Sequence, residues 1–187
     1  MFVKYFSSLR AFVAYNLGAN LGLRAHELLY TQENERMPVS VGDTAPDFTL
    51  KTQDDQDWTL SQNKGKNVVL LWYPLDWSPT CEKENCAISN DRSLYGDNVV
   101  VVGISRDSTY SHKAWKSERK INHDLLADPM MLVTDLYDLR HPKVPFISQR
   151  ATVIVGKDGK VAFVQVQDKT PEARDMVAVQ GALSKLS

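Results

Sequence analysis

Two uninterrupted apolar runs constrain this chain most: Asn67 to Tyr73 and Asn98 to Ile104. Neither alternates polar with apolar residues, and each is too short for an amphipathic helix. Such runs suit strands covered on both faces, as in a parallel sheet. Between them, Ser78-Pro79 marks a helix start, a capping hydroxyl followed by proline at the first helical position. That helix is expected to run to about Leu94. Ser108 to Lys120 is polar and periodic, a surface helix. Leu125 to Ala127 reads as a short strand, Met131 to Leu139 as a short helix and Pro171 to Leu186 as a closing helix. Ala151–Val155 and Lys160–Val166 flank Lys157-Asp158-Gly159, a hairpin signal. Upstream, Phe48 and Leu50, then Trp58 and Leu60, form short strand-like alternations around the polar turn Gln53 to Gln56. The pattern predicts an α/β sheet with one antiparallel edge.

The 187 residues carry 22 Lys+Arg against 23 Asp+Glu, a net charge of −1. This balance argues against a basic nucleic-acid footprint. No apolar run approaches the roughly 18 residues of a membrane span. Residues 1–36 form an amphipathic extension, with Phe2, Tyr5, Phe6, Leu9, Phe12 and Val13 at helical spacing. Lys4, Arg10 and Arg24 are its only fixed charges before Glu27, and such acid-poor starts resemble organelle transit peptides. Two plainer readings carry more weight: an accessory helix, or an over-long start upstream of Met37. Residues 37–187 are enough for one good core.

Only two cysteines exist, Cys81 and Cys86. Two are too few for a disulfide-stapled scaffold or a four-cysteine metal site. Cys81 falls in the first turn of a helix that follows a buried strand, where ligand sites in α/β sheets gather. Unpaired backbone N–H groups and the helix dipole favour a thiolate there. An ordinary thiol of pKa ~8.5 is about 3% ionised at pH 7, and making it mostly thiolate takes ~3.4 kcal/mol. A helix end supplies ~0.5–2 kcal/mol, so a cation or hydrogen-bond donors must supply the remainder. The five-residue step from Cys81 to Cys86 along a helix means a rise of ~7.5 Å and side chains about 140° apart. Disulfide geometry requires Cα atoms roughly 4.4–6.8 Å apart, so bridging them requires the helix to unwind. The plain alternative is that both are small buried hydrophobes, the favoured reading for Cys86 on position alone. The histidines, at 26, 112, 123 and 141, share no ligand spacing with the cysteines.

Pro74, Ser78 and Cys81 resemble the Pro-x-x-x-Thr/Ser-x-x-Cys signature of the peroxiredoxins, thiol peroxidases of the thioredoxin fold. Val41-Gly42-Asp43-Thr44-Ala45-Pro46-Asp47-Phe48 is similar to the family's opening segment. Arg150-Ala151-Thr152-Val153-Ile154-Val155 with Lys157-Asp158-Gly159 resembles its later arginine-bearing strand and hairpin. The four residues between the cysteines point to the bacterioferritin comigratory protein or Q-type subgroup. The resemblance implies a thioredoxin-like α/β fold with a central mixed sheet flanked by helices. It implies that Cys81 is the peroxidatic nucleophile and Cys86 the resolving thiol. Ser78 would hydrogen-bond peroxide and sulfur, Arg150 would supply the cation, and Pro74 would wall the pocket. Glu84 would orient Arg150, and the backbone N–H groups of Thr80 and Cys81 would complete the cradle.

The same resemblance implies reduction of hydrogen peroxide and organic hydroperoxides without metal or prosthetic group. Thioredoxin or glutaredoxin would recycle the cysteines, in a cytoplasmic monomer or weak homodimer. Two rivals share these residues: a thiol–disulfide exchange protein and a non-enzymatic redox sensor. The chain departs from the subgroup at Thr80, commonly glycine, and at Trp77, commonly smaller and polar. Trp77 with Trp72 is expected to make the pocket mouth apolar and to favour organic hydroperoxides.

Overall fold

Every residue of β3 (Asn67–Trp72) is buried, as its unbroken apolar run predicts. It pairs in parallel with β4 (Val99–Ser105), which pairs in parallel with β5 (Asp124–Ala127). On its other side β3 pairs antiparallel with β6 (Ala151–Val155), and β6 with β7 (Val161–Val166). The structure is a computed structural model that describes residues 39–91, 98–167, 169 and 171–186. The amino-terminal extension and the last residues of the predicted 78–94 helix lie outside the described residues.

β1 (Thr49–Thr52) and β2 (Asp57–Thr59) add a second antiparallel flank through β5. The sheet of described residues runs β2-β1-β5-β4-β3-β6-β7. The expectation of one antiparallel edge is corrected to two. The second edge was hidden because β1 meets β5 over only two residue pairs, Lys51 with Ala127 and Thr52 with Leu126. The expected mixed sheet with flanking helices is borne out.

Alternation along β3 divides the core. Val68, Leu70 and Trp72 face a cluster that includes Val133 and Tyr137. Val69 and Leu71 face Ile88 of α1 (Pro79–Asn90) and Val179 and Leu183 of α4 (Met176–Leu183). Tyr73, one step beyond the strand, packs with Cys81, Trp115, Ile121 and Leu125. Trp115 belongs to α2 (Thr109–Arg119). Gly103 is needed for close approach: a Cβ there would sit 2.8 Å from Leu125 and 3.0 Å from Tyr73.

Two helices are shorter than their patterns suggest. α3 covers only Leu132–Leu136, with Met131 and Asp138 at positive φ on either side. α4 starts at Met176 rather than Pro171, because Asp175 caps it by accepting from the Ala178 N–H. Residues 171–174 stay irregular, and the Arg174 N–H serves the site instead. At the hairpin, Gly159 takes φ +81° between β6 and β7, where residues other than glycine are strained. No helix of the described residues is long and apolar enough to cross a membrane.

Candidate active site

The antiparallel pairing of β6 with β3 sets the geometry of the site. β3 ends at Trp72, opposite Ala151, where β6 begins. Arg150, immediately before β6, therefore arrives at the end of β3 from which α1 departs. Arg150 and Cys81 are 69 residues apart in sequence, yet Arg150 Nη2 donates to Cys81 Sγ at 3.3 Å. Both side chains are buried. A buried guanidinium beside a sulfur is the cation that the helix end alone cannot replace.

The other prong of the same guanidinium, Nη1, pairs with Glu84 Oε2. Glu84 lies three residues beyond Cys81 and so nearly one helical turn further on, which points both side chains toward the start of β6. Cys81 is the third residue of α1, after Pro79 and Thr80, as the helix-start pattern predicts. Pro74 is buried at the exit of β3. Cys86 is on the same unbroken helix, half-buried, and both thiols are free. Its Sγ donates to the Arg119 carbonyl at 3.9 Å, and burial pushes its thiol pKa up, with Glu82 adding to the rise.

Two expectations need correction. Ser78 has the extended backbone of a capping residue, but its hydroxyl does not cap. It donates to the Leu75 carbonyl at 3.0 Å, tightening the loop between β3 and α1. Thr80 is half-buried and lines a groove of about 260 Å³ with Lys83, Glu84, Ala173 and Arg174. Trp72 does not reach the pocket mouth; it is fully buried against Tyr137, ring centroids 4.8 Å apart, on the other side of the sheet. The strand's two-residue period sends Trp72 away from α1. Trp77 is 42% exposed and held at φ +61°, an uncommon conformation for a bulky residue.

A family model described as the AhpC/TSA family matches residues 41–164, across the cysteine helix and the Arg150 strand. The chain belongs to the AhpC/TSA family. It is 35% identical over 135 residues to Peroxiredoxin Q, chloroplastic, of Suaeda salsa, an alignment covering 72% of this chain and 63% of that protein. The chain thus spans less than two thirds of that relative's length. It is 34% identical over 134 residues to a putative peroxiredoxin bcp of Coxiella burnetii, covering 68% of this chain and 89% of the relative. Among solved structures it resembles a peroxiredoxin-like protein from Aquifex aeolicus. The TM-score is 0.75 at 24% identity, covering 81% of this chain and 90% of that one, a likeness of fold. The Q-type resemblance read from Pro74 to Cys86 is borne out.

The AhpC/TSA site holds more than its sequence signature announced. Arg174, buried, donates its backbone N–H to Glu84 Oε1 at 2.7 Å, and its Nε is 3.6 Å from Glu84 Oε2. Its guanidinium also donates to the carbonyls of Trp72 and Ala151 and to Thr152 Oγ1. Glu84 is therefore held from both sides, and the two strand ends are tied together. Nothing in the irregular segment 171–174 betrays this burial; the Asp175 cap that frees the segment from the helix is the nearest signal.

Two buried networks also escaped the sequence. Asp76 accepts from Tyr73 Oη at 2.8 Å, from Ser111 Oγ at 2.8 Å and from His112 Nδ1 at 2.9 Å. Its own N–H donates to Asp107. This ties the loop after β3 to the start of α2. Burial and the adjacent Asp76 push the Tyr73 phenol well above its ordinary pKa, so it stays a donor. Further along α1, Asn85 Nδ2 donates to the Cys81 carbonyl at 2.9 Å. His123 Nε2 lies 2.9 Å from Asn85 Oδ1, and Ser89 Oγ 3.3 Å from His123 Nδ1. Burial, with Lys116 and Arg174 adding to it, pushes the His123 pKa down to about 3. A neutral imidazole donating from Nε2 satisfies all these contacts.

Proposed function

We propose that the chain is a thiol-dependent peroxidase in which Cys81 attacks the peroxide and Cys86 resolves the product. One observation carries this reading: a single buried guanidinium forks between the Cys81 sulfur and Glu84. A fork held by a carboxylate gives a fixed positive field at the sulfur, where charge is present before and during attack.

The chemistry follows from that geometry. The Cys81 thiolate attacks one peroxide oxygen, the O–O bond breaks, and an S–O bond forms. The departing oxygen leaves as hydroxide or alkoxide and takes a proton, giving water or alcohol. Arg150 favours both the thiolate and the charge growing on that oxygen. The first-turn N–H groups of α1 offer further donors. Ser78 would turn its hydroxyl from the Leu75 carbonyl to the bound peroxide. Pro74 and the buried setting of Cys81 exclude bulk water.

The sulfenic acid on Cys81 then condenses with the Cys86 thiol, releasing water. On an intact α1 the two side chains diverge, so the first turns of the helix must open at this stage. A dithiol reductant of the thioredoxin or glutaredoxin class reduces the disulfide, which suits a reducing compartment. That matches the cytoplasmic setting expected from the sequence; the Suaeda relative is named as chloroplastic.

Direct consumption of hydrogen peroxide by the reduced protein tests the reading. Cys81→Ser is expected to abolish it, and Cys86→Ser to retain one turnover per chain. Rapid exchange with a model disulfide but no peroxide consumption would assign the chain to disulfide exchange instead.

A further inference from the structure

Arg119, the last residue of α2, reaches across to α1 and the loop before it in three ways. Its guanidinium pairs with Glu82 at 2.8 Å. The same group lies over the Trp77 ring, 5.8 Å from its centroid. Its backbone carbonyl accepts from the Cys86 thiol. Trp77, Glu82 and Cys86 all belong to the stretch that must move before Cys86 can meet Cys81.

Arg119 itself sits on a firm footing. Lys120 follows it in the left-handed conformation, and the N–H groups of Lys120 and Ile121 both return to the Lys116 carbonyl. Ile121 is buried beside Trp115 and Cys81. Trp77 is fastened at its other end, its Nε1 donating to Ser111 Oγ at 3.3 Å. The Trp77 indole thus ties the loop that leads into α1 to both ends of α2, and Arg119 is the charged end of that joint.

We propose that Arg119 is a positioning residue, a clasp from α2 that holds the first turns of α1 closed and sets how fast Cys86 resolves oxidised Cys81. The proposal rests on the peroxidase reading above. In the gated step the Cys86 sulfur attacks the Cys81 sulfur, the S–O bond of the sulfenic acid breaks, and hydroxide leaves with the thiol's proton as water. No outside oxidant or reductant enters. While the clasp holds, the sulfenic acid waits, and a second peroxide has time to carry it to sulfinic acid. A looser clasp shortens the wait.

The clasp also has a signature that plain destabilisation lacks. The charged groups facing the Cys86 thiol are Glu82 from its own helix and Arg119 from α2, and they act in opposite senses: Glu82 raises the thiol's pKa and Arg119 lowers it. Breaking the ion pair from either side opens the helix equally, but moves the titration of Cys86 in opposite directions.

The test is stopped-flow tryptophan fluorescence of the full chain, separating oxidation of Cys81 by hydrogen peroxide from the later disulfide step, across pH. Arg119→Ala and Glu82→Gln are each expected to raise the high-pH limit of the disulfide step by about two- to fivefold, the scale of one surface ion pair. The oxidation step should change less than twofold. The midpoint of the disulfide step's pH profile should move up in Arg119→Ala and down in Glu82→Gln. Arg119→Lys should return the limit toward the parent value. The peroxide dose that produces sulfinic acid, read by mass spectrometry, should rise in step with the disulfide rate. Unchanged limits in both variants, or midpoints moving the same way, would overturn the clasp. If the parent chain shows no oxidation step at all, the peroxidase reading fails instead, and the two failures are told apart in the first trace.

Discussion

Replacing Arg150 by lysine keeps a positive charge but removes the fork. Arg150 uses Nη2 for Cys81 Sγ, at 3.3 Å, and Nη1 for Glu84. Lysine has one nitrogen on a shorter head and can serve one partner at a time, so the substitution is not conservative here. With Glu84 held by Arg174 close by, the lysine would turn to the carboxylate and abandon the sulfur. The loss is one hydrogen bond to a charged group, about 1.5–3 kcal/mol. At about 1.4 kcal/mol per decade, that is roughly a 10- to 150-fold slower second-order reaction with peroxide. Arg150→Met removes the charge as well and leaves Glu84 facing only Arg174. Losing a preorganised donor at the reacting centre costs about 2.7–4 kcal/mol, so about two to three orders of magnitude in rate should be lost. The assay is stopped-flow fluorescence of the reduced chain mixed with hydrogen peroxide at pH 7. A thermal melt of each variant confirms that the fold survives. A loss below threefold in both variants, with both folded, would refute the role given to Arg150.

Glu84→Gln should keep both arginines in place but weaken their hold, slowing the same reaction by about 3- to 30-fold, on the scale of one charge-assisted hydrogen bond. Asp76→Asn replaces a buried carboxylate that accepts from Tyr73, Ser111 and His112, and urea unfolding should show about 1.5–3 kcal/mol lost, the scale of a hydrogen bond to a charged group. His123 has a folded-state pKa far below its unfolded value of 6.5, so the unfolded chain binds the extra proton between those limits. Stability is therefore complete above pH 6.5 and declines as pH falls toward about 3, by at most about 1.4 kcal/mol per pH unit. Urea midpoints from pH 7 to 4 should show the decline, and His123→Gln should flatten it.

How far the sequence could carry this account follows from the kind of signal each residue leaves. The buried strands β3 and β4 announce themselves by unbroken apolar runs, and the helix start by Ser78-Pro79. Cys81, Glu84 and Arg150 stand in local patterns that survive without knowledge of the fold, and the geometry brings all three together. Arg174 leaves no such mark. Its partner Glu84 is 90 residues away, and an arginine before a capped helix reads as a surface charge. His112 and His123 looked scattered because their partners, Asp76 and Asn85, sit on other elements 36 and 38 residues away. Ser78 has the place of a cap without its bond: its hydroxyl donates to the Leu75 carbonyl, three residues back, and accepts from no first-turn N–H. The Pro171–Leu186 periodicity overstates its helix because it cannot see the backbone of residue 174 being claimed by Glu84.

Mass spectrometry of the reduced chain after one equivalent of hydrogen peroxide tests the central claim most directly. The proposed cycle predicts loss of two hydrogens, with peptide mapping joining Cys81 to Cys86, and one added oxygen on Cys81 in the Cys86→Ser variant. An unchanged mass at Cys81, or an added oxygen that persists in the parent chain while Cys86 stays free, would contradict it.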